Sequence, residues 1–190
     1  MGLRVSVVFQ GLCAFSFALL LAGCSSIPMN QGARSFCQNV DWYAIGRIDG
    51  ANGKDARALE AHRQECGKTP FPPNAEMYEN GREAGLVDFC TPRSGFEFGK
   101  DGNPYKGVCP LPFENEFLAA YHSGLKEFQL QNENTKLETK MDSLYDKILS
   151  QSGPALADKL RLRGELEQLK KQHTQNDAEI NSLENSAVSL

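Results

Sequence analysis

Hydrophobic and polar positions divide the chain into four stretches. Val5 to Leu21 is an almost unbroken apolar run that includes Phe9, Phe15 and Phe17. Ser25 to Phe36, with Pro28, Asn30, Gln31 and Gly32, has no apolar periodicity and reads as a short flexible tether. From 37 to 128, short apolar clusters are cut by Gly and Pro. The spacing there predicts helices over 40–49, 54–65 and 75–89, with Asn39 and Asn74 as N-caps of the first and third. Thr91 to Pro112, rich in Gly and Pro around Asp101-Gly102, reads as a short hairpin or an irregular loop. From 129 to 190 the pattern becomes heptad-like. Leu137, Met141, Leu144 and Ile148 step by four, three and four, and Leu162, Leu166, Leu169, His173, Asn176, Ile180, Leu183 and Ala187 continue after Ser152-Gly153-Pro154. Two antiparallel helices joined at that turn are expected, each roughly 30 residues or about 45–50 Å long; one kinked helix that oligomerises is the alternative.

The fold class expected is therefore mostly α: a small disulfide-bonded helical domain over 37–128, then a long coiled-coil-like hairpin over 129–190. The first stretch is not a membrane span. Gln10 and Ser16 interrupt it and Ser25, Ser26 and Pro28 follow at once, whereas a span needs about 17 or more apolar residues in a row. Arg4, the apolar run and the small residues Ala22-Gly23 give the three parts of an export signal over 1–23. Leu21-Ala22-Gly23-Cys24 has the order of a lipoprotein processing site. Cys24 would become the first residue of a lipidated tether over 24–36, carrying acyl chains such as palmitate at about 0.8 kcal/mol per buried methylene.

Cysteine usage agrees with export. Cys13 leaves with the signal and Cys24 takes lipid, so Cys37, Cys66, Cys90 and Cys109 remain, an even set suited to an oxidising compartment. Three pairings are possible. Cys37 with Cys66 is favoured because an antiparallel pair of the first two helices brings them to one end, and Cys90 with Cys109 because the intervening loop can close on itself. A four-thiolate zinc site would need closer pairs.

An internal echo runs through the domain. Tyr43-x-x-Gly46-Arg47-x-x-Gly50 recurs as Tyr78-x-x-Gly81-Arg82-x-x-Gly85, and Tyr121-x-x-Gly124 repeats its first half. On a helix these positions share a face, so each glycine strip invites close packing. Two full copies fall short of a solenoid. Together with Asp41-Trp42, Cys66, Leu86, Phe89-Cys90 and Tyr105-x-Gly107-Val108-Cys109-Pro110, these residues resemble the bacterial lipoproteins grouped as domain of unknown function family 2799. The resemblance covers roughly Cys37 to Phe128. It implies no known activity, substrate or catalytic residue. The chain is also similar to lipoproteins of diderm bacteria, among which Ser25 after the lipid-bearing cysteine implies the outer membrane, at its periplasmic face.

Candidate chemistry is sparse. His62 and Cys66 have metal-ligand spacing, but Cys66 is assigned to a disulfide and no second pair stands near. No nucleophile elbow or phosphate loop is present, and Asp41, Asp49 and Asp101 read as caps and turn formers. No catalytic residue, metal or cofactor is expected. The formal net charge of −4, mixed in sign along the C-terminal stretch, argues against nucleic acid. The expected role is a lipid-anchored envelope protein with a structural or protein-interaction function, its partner held by the C-terminal helices. The runner-up is a binder or processing enzyme of an envelope polymer, with Arg93, Phe96, Phe98 and Tyr105 as the ligand loop. Every cysteine and every Tyr-x-x-Gly unit precedes residue 129, so the domain is expected to stand without the hairpin.

Overall fold

The computed structural model describes residues 30–150 and 154–189, and among them the chain forms seven helices and no strands. They are α1 Asn30–Asn39, α2 Trp42–Ala51, α3 Arg57–Cys66, α4 Ala75–Phe89, α5 Pro92–Lys100, α6 Phe113–Leu149 and α7 Leu156–Val188. The expected signal segment, Cys24, Ser25 and the centre of the expected turn at 151–153 lie outside the described residues.

Local signals explain the starts of α2, α4 and α5 and correct three expectations. Asn74 caps α4 as expected, its side chain accepting from the Met77 N–H at 3.0 Å. Asp41 rather than Asn39 caps α2, accepting from the N–H groups of Tyr43 at 3.0 Å and Ala44 at 3.2 Å. Asn39 instead ends α1, a helix that begins inside the expected tether and runs past Cys37, and donates back to the Ser35 carbonyl at 2.9 Å. The expected hairpin or loop after Thr91 begins with helix α5. Thr91 accepts from the Ser94 N–H at 3.2 Å and Pro92 occupies the first turn, where its missing N–H costs nothing.

The glycines decide the packing. A Cβ on Gly46 would lie 2.0 Å from the Tyr78 carbonyl oxygen, and one on Gly81 would lie 2.0 Å from that of Tyr43. Gly50 and Gly85 likewise meet the backbones of Arg82 and Arg47, so α2 and α4 run parallel with their backbones in contact. The two copies of the echo therefore face each other. The true repeat is the pair: Gly95 meets Phe117, Gly99 meets Tyr121 and Gly124 meets Phe96, so α5 and α6 pack in the same way. Gly46, Gly50 and Gly53 correspond to Gly95, Gly99 and Gly102; Tyr78, Gly85 and Phe89 correspond to Phe117, Gly124 and Phe128. Gly53 and Gly102, both at positive φ, end the first helix of each pair against the ring of Phe89 or Phe128. Ala120 replaces the fourth glycine, Gly81.

Each return connection is stapled. The structure joins Cys37 to Cys66, 29 residues apart, and Cys90 to Cys109, 19 apart, the pairing expected from the sequence. Trp42, Leu59, Tyr78 and the first disulfide form one core cluster. Leu86, Phe89, Phe117, Tyr121 and the second disulfide form another, where Phe89 packs on Phe117 with ring centroids 5.0 Å apart. Phe89 thus belongs to the first pair and is buried against the second.

Beyond the domain, α6 continues without a break through residues 128 and 129, so domain and hairpin share one helix. α7 returns antiparallel along it, with Leu144, Leu162 and Leu166 buried between them. Its last turns reach the domain, where Leu183 and Ala187 lie beside Phe96 and Ala120, and Glu184 meets Lys100. The domain expected to stand without the hairpin is thus in contact with it. No helix among the described residues is long and apolar enough to cross a membrane.

Candidate functional site

Three arrangements concentrate polar or exposed apolar groups. The first is a buried carboxylate on α2. Asp49 receives the Lys54 ammonium at 2.8 Å on Oδ1, and His62 Nε2 at 2.9 Å and the Tyr78 hydroxyl at 2.8 Å on Oδ2. Burial alone would push this carboxyl up, but the three donors outweigh it and hold it below the ordinary aspartate value. Burial and the Asp49 charge push the Tyr78 hydroxyl well above its usual range. The His62 ring stands edge-on to Trp42 and to Tyr78, at 5.8 and 5.7 Å between centroids. Tyr78 is fully buried, so its hydroxyl is closed to substrate, and the network ties α3 to the α2–α4 pair. Asp49 is not the turn former expected from Asp49-Gly50. His62 and Cys66 face different partners rather than one ligand.

The second arrangement contains the expected ligand loop, and the structure does not bring its four residues together. Arg93 and Phe96 line a cleft of about 380 Å³ between α5 and the end of α7, with Lys100 and Glu184. Phe98 and Tyr105 pack instead against the core around Phe117. The Tyr105 hydroxyl donates to Glu114 at 3.0 Å and accepts from the Cys109 N–H at 2.9 Å, which fixes the second staple. Phe96 is buried and Phe98 lines a separate cleft with Arg93, so the rings of the expected loop do not form one exposed row. Beside it, Lys100 bridges Glu127 and Glu184 at 2.8 Å each, and hydrogen bonds to both carboxylates raise its pKa. Glu127 is fully buried and also accepts from Gln131 at 2.8 Å.

The third is the hairpin. Its seam carries a polar layer: Asn176 donates to Asn134 at 2.9 Å, and Asn134 donates to Asp177 at 2.7 Å. One turn away on α7, His173 lies between Glu138 and Asp177, 3.0 Å from each, and the hydrogen bond to Glu138 leads the causes that raise its pKa. At the free end the pattern reverses. Leu149 closes α6, Leu156 opens α7 and Leu160 follows one turn on, all three largely exposed, with Tyr145 nearby. The seam explains the burial of the other leucines but assigns no intramolecular role to these.

Two stapled, parallel helix pairs with a helical hairpin growing from the second define the class: an all-helical domain built of two matching pairs. Residues 41–126 match the family described as protein of unknown function (DUF2799). Comparison with curated proteins and with solved structures finds no match.

Proposed function

We propose that this protein is a lipid-anchored component of the bacterial envelope, held through Cys24 at the periplasmic face of the outer membrane, and that it works as a protein-interaction module. The observation that carries the reading is the hairpin tip. Leu149, Leu156 and Leu160 are exposed at the free end of a helix pair whose other end is fixed to a disulfide-stapled domain. A hydrophobic set displayed at the end of a helical arm suits capture of an envelope protein, because exposed aliphatic side chains gain free energy when a partner removes them from water. Photo-crosslinking from positions 149, 156 and 160 in intact envelopes tests it. A discrete protein adduct is expected from each position, and the adduct from position 149 is expected to be lost in a Leu156→Asp, Leu160→Asp variant with both disulfides formed. Adducts that persist unchanged in that variant would overturn the reading.

The anchor has its own test. Cys24→Ala is expected to move the protein from the membrane pellet to the soluble envelope fraction. Retention in the pellet after cleavage at another site would remove the lipid anchor from this account.

A further inference from the structure

Each helix pair is a two-sided layer, and the match between the pairs lets the sides be compared position by position. One side is covered by the pair's own stapled connection: His62 of α3 lies on Trp42 and Tyr78, and Tyr105 lies on Phe117 and Tyr121. The opposite side of the second pair is covered by α7. There Phe96, Ala120 and Glu127 are buried, Glu97 and Glu116 line the clefts beside α7, and Lys126 approaches Glu179 of α7 at 3.6 Å. The same side of the first pair is exposed. In the register set by the glycines, Ile48 stands where Glu97 stands in the second pair, Met77 where Glu116 does and Val87 where Lys126 does. The covered face is charged at its rim, and the open face is apolar at the same positions, with Ile48 57%, Met77 44% and Val87 59% exposed. Water-facing positions of a solvated helix pair would carry the charges instead.

Amid these apolar groups stand one cation and one anion. Arg47 and Asp88 take the places of Phe96 and Glu127 and form an exposed pair at 3.5 Å. We propose that this face of α2 and α4 binds the same face of a second copy of the chain across a two-fold axis, covering Ile48, Met77 and Val87. Arg47 of each copy then pairs with Asp88 of the other. A face holding one charge of each sign among apolar groups is its own complement under a two-fold axis, which an isologous contact requires.

The test separates pairing between copies from pairing within one. Full-length chains carrying Arg47→Asp or Asp88→Arg are purified in detergent, and self-association is followed by sedimentation. Wild type is expected to associate. Each variant alone is expected to associate at least tenfold more weakly, because like charges meet. An equimolar mixture of the two is expected to recover, because both contacts again join opposite charges although each monomer's own pair stays broken. Ile48→Asp with Val87→Asp is expected to abolish association with disulfides and helicity retained; if that variant misfolds, the mixing experiment decides alone. Leu156→Asp at the hairpin tip leaves this association unchanged, which separates it from the partner surface proposed above. A wild-type chain that stays monomeric at about 0.1 mM, or a mixture no stronger than either variant, overturns the proposal.

Discussion

Asp49 shows why a residue's neighbours in sequence are a poor guide to its work. Asp49-Gly50 reads locally as a turn, yet the partners that define the carboxylate, His62 and Tyr78, come from 13 and 29 residues further along the chain. No local pattern links these three. Asp49→Ala leaves a buried hydroxyl and an imidazole without their acceptor and is expected to cost about 2–3 kcal/mol in urea unfolding. Its pH dependence has a fixed sign. The folded-state pKa is depressed, so the contribution is present above the ordinary aspartate range and fades as pH falls through the folded value; Asp49→Asn should flatten that acid limb. His173 has the opposite sign. Its pKa is raised between Glu138 and Asp177, so the seam gains from it fully below the ordinary histidine value and loses that gain as pH rises through the folded one. His173→Gln should make the protection of hairpin amides, corrected for the intrinsic pH dependence of exchange, constant across that window. The sequence did mark His173 and Asn176 as polar seam positions, because heptad stepping is a local signal.

Elements were legible where a single helix face decided them. The N-cap Asn74 and the leucine stepping of α6 and α7 needed no distant partner. α5 was hidden by its composition: Gly95 and Gly99 look like loop glycines but are points of backbone contact with α6, and Thr91-Pro92 was the start signal that outweighs them. The match between the pairs was hidden by unequal return connections, which shift the glycine register between them. The close approach predicts an asymmetry between them. Gly81→Ala would place its Cβ 2.0 Å from a backbone oxygen and force α2 and α4 apart, and is expected to cost about 3 kcal/mol or more. Position 120, its counterpart, already carries alanine, so Ala120→Gly should cost only about 1 kcal/mol. Thermal unfolding of the two variants side by side checks this; equal losses would remove the packing argument.

At the scale of the whole molecule, domain and hairpin share α6 and meet again where α7 reaches α5. The sequence places every cysteine before residue 129, which suggested independence, but contacts of α7 with α5 are long-range and leave no local trace. Deleting residues 131–190 removes Glu184 from Lys100 and the cover from Phe96. Hydrogen exchange of the truncated chain is expected to quicken in α5 and the first turns of α6 while α2 and α4 stay protected; uniform protection would restore the simpler division. The unbroken course of α6 has one more consequence. A helix of 37 residues is about 55 Å long, stiff along its axis and without a joint where domain passes into hairpin. From Phe117 in the aromatic cluster to Leu149 it forms an arm of about 48 Å. A tilt of about 10° there would sweep the far end through roughly 8 Å at 1.5 Å rise per residue, so a small repacking beside the second staple would become a large change in reach.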